Sequence, residues 1–492
     1  MRTDFTEEQL ADPDTAQSEK ILRTCTHCGF CTATCPTYLL LGDELDSPRG
    51  RIYLIKDMLA SGEAPSADTV KHIDRCLSCL ACMTTCPSGV NYMHLVDHGR
   101  RWIEQKYRRP WAERTLRRML GTVLTRPWLF RMALRGAALG RPFARFLPNR
   151  LAPMMALAPA AVPRASPADR RRVFPAEGER RMRVALLAGC AQRVLAPEIN
   201  EATIRVLTRH GCEVVIAPGS GCCGSLVHHL GQEAAALAFA RVNIDAWERE
   251  RRAGGLDAIA INASGCGTTV KDYGFMLRED PAYAEKAARV ASLARDVTEI
   301  VATLGLRAPS LGSAARGMRV AYHSACSMQH GQRLHDAPKA LLTQAGYATL
   351  DVPEGHICCG SAGTYNLLQP EIAHRLRDRK LANIAKTSPE LVATGNIGCI
   401  TQLAPGCEVP VVHTVELLDW ATGGPEPHSL PAGYPARRPA TIGISNESPS
   451  AAAPIAVGMT QPASPIASRS PAAPRSTQAM VIGNWPTREP KA

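Results

Sequence analysis

Two short runs of cysteine constrain this chain more than any other feature of its sequence. Each run places four cysteines within eleven residues in the spacing C-x2-C-x2-C-x3-C, followed by proline, as in CTHCGFCTATCP (residues 25–36) and CLSCLACMTTCP (76–87). The cysteines of the two runs are Cys25, Cys28, Cys31 and Cys35, and Cys76, Cys79, Cys82 and Cys86. Thiols crowded this tightly are typical of disulfide scaffolds, zinc sites and iron–sulfur clusters, and the remaining sequence distinguishes among these three.

The sequence gives no sign that these thiols are oxidised. The N-terminal stretch MRTDFTEEQLADPD is acidic and lacks an apolar segment, so we expect no secretory signal. No run of about 18 apolar residues predicts a membrane-spanning helix. Cytosolic thiols stay reduced, which makes the 18 cysteines candidate metal ligands rather than disulfide partners. A zinc site needs only two closely spaced pairs and would leave the third cysteine of each run over, so iron–sulfur clusters are the better interpretation.

The spacing also predicts how the eight thiols divide between two [4Fe–4S] clusters. Three cysteines separated by two residues each can hold three corners of one cubane, and the fourth, set off by proline, faces the neighbouring cluster. The predicted ligand sets are Cys25, Cys28, Cys31 and Cys86 for the first cluster, and Cys76, Cys79, Cys82 and Cys35 for the second. Such clusters carry single electrons, and we find no motif that would supply a catalytic residue for organic chemistry.

Composition divides the 492 residues into five predicted regions. Residues 1–100 form a helical two-cluster ferredoxin-type module, and residues 101–182 form a basic helical connector. Residues 183–315 and 316–422 each alternate apolar strand-like runs with helical periodicity, which predicts two α/β domains with parallel sheets. Residues 423–492 are rich in Pro, Ala and Ser and cannot bury enough apolar surface to fold, so we predict a disordered tail. The expected fold class is a multidomain α+β and α/β chain.

The two α/β regions are predicted to be copies of one another. VALLAGC (184–190) returns as VAYHSAC (320–326), and GCCGS (221–225) returns as ICCGS (357–361). Corresponding cysteines are 136, 136, 136 and 133 residues apart. Each half therefore contributes one candidate metal or redox site, namely Cys190, Cys222, Cys223 and Cys266 in the first half, and Cys326, Cys358, Cys359 and Cys399 in the second. A purely structural role for these cysteines stays open on sequence grounds.

Glycines and histidines flank these cysteine sets. Gly221, Gly224 and Gly360 lie beside the Cys-Cys pairs, and we expect them to let the backbone approach a bulky inorganic centre closely. His323 and His356 lie near the second set. A tuning or protonating role is one interpretation of these histidines, and an ordinary polar role in βα loops is the preferred one.

Two cysteines and one glycine-rich match fall outside the repeat. Cys212 and Cys407 have no counterpart in the other half, and we interpret them as isolated thiols. GSGCCG (219–224) matches G-x-G-x-x-G, but no acidic residue closes a following strand roughly 20 residues on, as a dinucleotide site requires. We therefore interpret this match as part of the cysteine motif.

The net charge of +12 is concentrated in the connector. Residues 100–183 carry 21 Lys and Arg against 5 Asp and Glu. Arginines interleaved with Trp, Leu and Phe suit an anionic membrane surface or an acidic partner protein, and a solvated arginine-rich helix is the alternative. Reversing the charges of Arg117, Arg118, Arg131 and Arg135 is predicted to release the chain from such a surface. No nucleic-acid-reading motif accompanies the charge, and we expect no nucleic-acid partner.

Each α/β half resembles the cysteine-rich, or CCG, domain of heterodisulfide reductase and related respiratory subunits. The resemblance implies a further iron–sulfur centre in each half, or a redox site close to an electron acceptor. The family pattern ends in C-x-x-C, whereas Ala263 and Asn396 occupy the earlier cysteine position here. Each half offers four thiols rather than five, so an ordinary cluster, a labile cluster and an empty structural site all stay open.

Residues 20 to about 420 together resemble the iron–sulfur subunits of bacterial glycolate oxidase (glycolate dehydrogenase). The stretches that carry this resemblance are ILRTCTHCGFCTATCPTYLLLGDELDSPRGRIYLIK (21–56), CMTTCPSGV (82–90), ASGCGTTVKDYGFML (263–277) and HICCGSAGTYNL (356–367). The resemblance implies an electron-transfer subunit that is not catalytic alone. It would receive electrons from FAD-containing partner subunits that oxidise glycolate to glyoxylate, and relay them toward a membrane quinone. It also implies a cytoplasmic protein, peripheral on the inner membrane.

Three alternatives share parts of this layout. Iron–sulfur subunits of glycerol-3-phosphate dehydrogenase and of lactate-utilisation systems would differ only in the substrate of the partner flavoprotein. A heterodisulfide-reductase-like subunit would reduce a disulfide at a CCG-bound cluster, and the missing fifth cysteine in both halves argues against it. A structural scaffold with zinc sites would be a colourless protein.

Overall fold

Helices surround both N-terminal cysteine runs in the computed structural model of the chain, which describes residues 1–140, 158–159, 161–170, 172–310, 315–431 and 434. The helices of this region are α1 (Glu7–Leu10), α2 (Pro13–Thr24), α3 (Pro36–Leu41), α4 (Pro48–Ser61), α5 (Ala67–Asp74), α6 (Ala81–Thr85) and α7 (Tyr92–Lys106). The first cysteine run passes through the short 3-10 turn Phe30–Thr34, and the second passes through α6.

Capping residues set where the longer helices of this module begin. Asp12 and Ser47 each accept a backbone N–H from the first turn of α2 and α4, and proline follows both, where its missing N–H costs nothing. Between the helices lies an apolar core that includes the fully buried Leu22, Ile55 and Leu95. This core holds the loops that carry the cysteines.

Two basic helices, α8 (Trp111–Val123) and α9 (Pro127–Gly140), follow the module. Two of the four arginines predicted to dock on a surface are engaged within the protein instead. Arg117 is buried, and its Nη2 lies 2.7 Å from Oδ2 of Asp74. Arg131 is half-buried and donates to the carbonyl oxygen of Arg193 at 2.5 Å. The surface charge of these helices is therefore carried by other arginines.

Two parallel sheets with matching strand order make up the α/β halves in the described part of the chain. Their strands are β1 (Val173–Phe174), β2 (Met182–Leu186), β3 (Cys212–Val215), β4 (Ala258–Ile261), β5 (Ala294–Asp296), β6 (Arg319–Tyr322), β7 (Ala348–Asp351), β8 (Leu391–Thr394) and β9 (Val411–His413). The first sheet has the order β1-β3-β2-β4-β5 and the second β7-β6-β8-β9, with β1 alone antiparallel to its neighbour. Strands β4 and β8 are buried at every residue, as expected for parallel sheets covered on both faces.

Helices cover both faces of these sheets. They are α10 (Gln192–Leu195), α11 (Glu198–Arg209), α12 (Ser225–His229), α13 (Glu233–Gly254), α14 (Ser264–Lys271), α15 (Tyr273–Met276), α16 (Ala284–Leu293), α17 (Val297–Leu304), α18 (Ala337–Gln344), α19 (Tyr365–Leu368), α20 (Pro370–Ala385), α21 (Ile397–Leu403) and α22 (Thr414–Ala421). The alternation of strand and helix is the βαβ pattern that the sequence predicts.

The two halves share one apolar core. Val184 and Leu186 of β2 lie in the same buried cluster as Val320 and Tyr322 of β6. A buried carboxylate adds to this contact, because Asp419 of α22 accepts from the side chains of two arginines of α11. The two halves are therefore packed directly against each other through these elements.

The predicted fold class is confirmed, with a helical ferredoxin-type module followed by two similar α/β halves. The structure corrects where the predicted tail begins. Leu430 is buried in the shared core, and the hydroxyl of Tyr434 donates to the carbonyl oxygen of Glu390. The proline-rich composition starts before the packed chain ends, which is why the sequence places the boundary at 423. Residues 435–492 of the predicted tail lie outside the described residues. Among the helices described, none is long and apolar enough to cross a membrane.

Candidate redox centres

The thiols predicted for the first cluster line one small cavity. Cys25, Cys28, Cys31 and Cys86 surround it, and Cys82 lies at the same cavity. Burial, and then the neighbouring Cys25, raises the pKa of Cys31 to about 11. The structure thus brings Cys86 of the second run beside three thiols of the first run.

The thiols predicted for the second cluster also lie close together. Burial raises the pKa of Cys82 well above its usual range, and Cys79, Cys76 and Cys35 raise it further because a thiolate would repel theirs. A buried cation faces the same group, since Nη1 of Arg51 lies 3.9 Å from Sγ of Cys35. Cys35 of the first run is therefore grouped with three thiols of the second run.

Both loops bend in the same way around their thiols. Two positions in each run adopt left-handed backbone, with φ of 56° at His27 and 86° at Gly29, and φ of 49° at Ser78 and 62° at Leu80. Three of these four residues are not glycine, so the loops carry strain of the kind found at functional sites. The matching positions show that the two runs wrap their sites alike.

This donor set fits two iron–sulfur clusters. The eight thiols are free, so none of them is tied up in a disulfide. Burial raises the pKa of Cys31, Cys79 and Cys82, and thiols of this kind ionise when a metal supplies the positive charge. Sγ of Cys76 also accepts from the backbone N–H of Ser78 at 3.5 Å and from the hydroxyl of Tyr92 at 3.8 Å.

The α/β halves each carry a row of four thiols at the carboxyl ends of their strands. In the first row, Cys190, Cys222, Cys223 and Cys266, the neighbouring Cys222 thiol and burial raise the pKa of Cys190 well above its usual range. In the second row, Cys326, Cys358, Cys359 and Cys399, the sulfurs lie 3.7 Å apart at the first step and 3.4 Å apart at the last. A disulfide bond is about 2.05 Å long, so both rows consist of free thiols. Such rows of soft donors suit iron or zinc.

Both rows face one mostly apolar cavity of about 610 Å³. Seven of the eight row thiols line it, all except Cys222. Leu120 of α8 and Phe130 and Leu134 of α9 form part of its wall. The basic helices therefore close a cavity into which the cysteines of both halves open.

The second ferredoxin-type site adjoins the second thiol row. Cys79 lies in one apolar cluster with Cys326 and Cys358, and burial followed by the charge of Cys326 raises its pKa. Thr84 and His330 fasten this contact, with the hydroxyl oxygen 2.7 Å from Nδ1 of the ring. The thiols of the second ferredoxin-type site and those of the second row are therefore near neighbours. This arrangement is suited to the transfer of single electrons between the two sites.

Two of the glycines beside the Cys-Cys pairs contact both the thiols and a nearby helix. Gly224 and Gly360 have φ of 87° and 90°, and their backbone N–H groups donate to Sγ of Cys222 at 3.4 Å and of Cys358 at 3.5 Å. A Cβ at Gly360 would lie 2.5 Å from the carbonyl oxygen of Ala373, and a Cβ at Gly224 would lie 3.0 Å from that of Ala236. These glycines are needed because loop and helix backbones approach closely. Nothing lies within 4 Å of the corresponding point at Gly221.

The two isolated cysteines and the two histidines that the sequence analysis considered have different surroundings. Cys212 is buried in β3 and Cys407 is half-buried, and neither lies in a thiol row. His356 is exposed. His323, given an ordinary polar role from the sequence, is buried with a ring nitrogen within 4.8 Å of Sγ of Cys359 and Cys399. The sequence signal for it was a histidine where the first half continues its apolar run with Leu187.

Comparison with known proteins gives matches over most of the chain. Residues 21–90 match the 4Fe-4S dicluster domain, and residues 184–271 and 320–404 each match the cysteine-rich domain. The chain is 45% identical to the "Glycolate oxidase iron-sulfur subunit" of Escherichia coli K12 over 86% of its own length and 99% of that protein. It is 32% identical to the "Probable glycolate oxidase iron-sulfur subunit" of Bacillus subtilis, over 82% of its own length and 94% of that protein.

More distant matches cover less. "Lactate utilization protein A" of Oceanobacillus iheyensis is 28% identical over 48% of this chain and 97% of its own length. A crystal structure of a hypothetical protein from Helicobacter pylori superposes with a TM-score of 0.50 at 10% identity, over 85% of this chain and 75% of that chain. That likeness concerns the fold alone.

Proposed function

The chain belongs to the family of glycolate oxidase iron–sulfur subunits, and we propose that it relays electrons from the flavin-dependent oxidation of glycolate to a quinone-type acceptor. Iron–sulfur clusters, once bound, supply one-electron carriers. Flavin-containing partner subunits oxidise glycolate to glyoxylate in this proposal, and this chain contributes no catalytic residue. The observation that carries the proposal is the packing of Cys79 against Cys326 and Cys358, which joins the ferredoxin-type thiols to the rows of the α/β halves.

The cluster ligands follow from the two thiol groups of the module. The proposed ligand sets are Cys25, Cys28, Cys31 and Cys86 for one [4Fe–4S] cluster, and Cys76, Cys79, Cys82 and Cys35 for the other. The shared cavity of the first four thiols supports this division, and so does the way in which Cys79, Cys76 and Cys35 raise the pKa of the buried Cys82. The thiol rows of the α/β halves hold further iron–sulfur centres in this proposal.

Glycolate is the substrate class that the relatives favour. The two glycolate oxidase relatives are matched over 82% and 86% of this chain, whereas the lactate utilization protein is matched over 48%. The glycolate oxidase relatives thus have counterparts for most of this chain, and the lactate utilization protein has counterparts for about half of it. The partner that delivers electrons would be the flavoprotein of that system.

The cavity between the thiol rows is the proposed acceptor site. Its apolar wall of Leu120, Phe130 and Leu134 suits the ring and first isoprene units of a quinone. Its polar groups are few and include the side-chain amide of Asn396, whose NH2 group can donate to a quinone oxygen. An acceptor held there would lie beside the cysteines of both halves.

The outer face of helices α8 and α9 is the proposed membrane-resting surface. Exposed apolar side chains, Trp111, Trp128 and Leu139 among them, alternate there with the exposed Arg118 and Arg135. Amphipathic helices with arginine and tryptophan on their outer side bind the interface of anionic bilayers. Because the inner side of the same helices lines the cavity, this placement gives a lipophilic acceptor a short path from the bilayer.

The test is electron flow from glycolate in the complete complex. The chain is purified anaerobically with its flavin-containing partners, and cluster reduction is followed by EPR after glycolate is added. We expect reduction of the wild-type clusters, followed by quinone reduction. Cys28→Ser, at an exposed thiol of the first group, should lower the iron content and slow that reduction. Flavin reduction by glycolate that never reaches this chain's clusters would refute the proposal.

A further inference from the structure

His323 occupies the same place in the second half as Leu187 in the first. The backbone N–H of His323 donates to the carbonyl oxygen of Ala393 at 2.8 Å, and that of Leu187 donates to Ala260 at 3.0 Å. Both residues directly follow the central strand of their sheet, and a row cysteine comes three residues later. The two halves therefore differ at one buried position that faces equivalent thiols.

The imidazole of His323 is buried without a hydrogen-bond partner. The residue is 2% exposed, and neither Nδ1 nor Nε2 has a hydrogen-bond partner among the described residues. Leaving a buried polar group unpaired costs about 1–3 kcal/mol, so such groups in folded proteins call for an explanation. One ring nitrogen lies within 4.8 Å of Sγ of both Cys359 and Cys399, which are themselves within that distance of each other. A metal ion between the three would satisfy the imidazole.

We propose that His323 is a nitrogen ligand to iron in a centre held by the second thiol row, together with Cys359 and Cys399. Two thiolates and an imidazole form a donor set that iron accepts. The side chain of Asn396 does not take this place, because it caps α21 by accepting the backbone N–H of Gly398 at 3.3 Å. His323 thus adds a fifth donor to the second row, and no histidine among the described residues is grouped with the thiols of the first row.

A second difference between the halves, a buried lysine, shifts the reduction potential of the second row in the same direction as the histidine ligand. Lys380 is 1% exposed, lies near Cys359 and Cys358, and donates to the carbonyl oxygen of Glu354 at 2.8 Å. Counting from the helix residues that Gly360 and Gly224 approach, Lys380 corresponds to Asn243 in the first half. A neutral nitrogen ligand and a nearby ammonium both favour the reduced state. The second row is therefore the higher-potential centre, and it is the side from which electrons enter the acceptor cavity.

The test uses the full chain, anaerobically purified after growth on ¹⁵N-labelled histidine, and pulsed EPR of its paramagnetic states. We expect a nitrogen coupling of the size given by a directly bound imidazole. The coupling should vanish in His323→Leu, which copies the first half, and persist in His356→Asn, a change at an exposed histidine two residues from Cys358. Iron analysis of both variants, with ferredoxin-type EPR signals retained, shows that the module is intact.

Replacing the ligand instead of removing it gives a second readout. His323→Cys should keep the iron and lower the midpoint potential of the second-half centre, because a thiolate adds negative charge. The proposal is overturned if only about eight iron atoms are bound per chain, the content of two cubanes. Zinc at this position, or a histidine coupling that survives in His323→Leu, would also overturn it. These measurements need neither glycolate nor quinone, so a negative result would leave standing the proposed transfer of electrons from glycolate to the two clusters of the ferredoxin-type module.

Discussion

The imidazole of His413 joins the two α/β halves, because its Nε2 donates to the backbone carbonyl oxygen of Asn262 at 2.8 Å. Its Nδ1 accepts the backbone N–H of Val415 at 3.1 Å and so caps helix α22. Both bonds together require the neutral ring with the proton on Nε2. Burial holds the pKa of His413 down at about 4, which keeps the ring neutral at physiological pH.

This contact predicts a loss of stability in mild acid. The folded pKa of about 4 lies below the ordinary 6.5, so the contribution of His413 is complete above pH 6.5 and declines as the pH falls toward 4. Between pH 7.5 and 5.5 the loss should be about 1 kcal/mol of unfolding free energy. Urea unfolding under anaerobic conditions, compared with His413→Asn, measures it.

The neighbouring Glu416 titrates in the opposite sense and must be separated from this effect. Burial raises its pKa to about 7, so its contribution to stability grows as the pH falls through that value. Glu416 is present in both proteins, and its effect cancels in their difference. If the wild type and His413→Asn lose stability equally over this range, His413 is not the titrating contact.

The sequence predicts the parts of this molecule that local spacing determines. Cysteines separated by two residues must share a site, and repeated cysteines after repeated strands must meet at equivalent sheet edges. Local spacing does not predict contacts between residues that are far apart in the sequence. Nothing local shows that Arg117 binds Asp74, 43 residues earlier, or that Leu430 returns to the core. The approach of His323 to Cys399 likewise depends on how two strands and a helix pack, which no spacing encodes.

The close loop–helix contact at Gly360 predicts a stability effect that its left-handed backbone alone does not explain. Alanine there costs about 1–2 kcal/mol for the positive φ, and its Cβ would also overlap the carbonyl oxygen of Ala373. Gly189, with φ of 75° and nothing within 4 Å of the added Cβ, is the matched control. Gly360→Ala should lower the unfolding free energy clearly more than Gly189→Ala. Equal losses would mean that the helix moves away without cost.

Filling the apolar cavity should slow quinone reduction without removing iron. Ala137 of α9 lines the cavity, and Trp at this position would occupy space between the helix and the thiol rows. In the complex with the flavin partners, we expect kcat/KM for a quinone to fall about tenfold, equivalent to about 1.4 kcal/mol of binding. Ala138→Trp, at the exposed neighbouring position, should leave it unchanged. Ferricyanide reduction and iron content serve as controls for an intact chain, and a quinone rate untouched by Ala137→Trp would exclude this cavity as the acceptor site.

The exposed arginines of the basic helices should set membrane affinity. Each arginine near an anionic bilayer contributes about 1 kcal/mol, so the double variant Arg118→Glu, Arg135→Glu should lose at least about 2 kcal/mol, or roughly 30-fold in partitioning. Co-sedimentation with phosphatidylserine-containing vesicles measures this loss, and vesicles of phosphatidylcholine alone should bind both proteins weakly. The control is Arg249→Glu, Arg252→Glu on α13, which makes the same change of charge at two other exposed arginines. If both double variants lose binding equally, net charge governs the association, and helices α8 and α9 are not the surface that rests on the membrane.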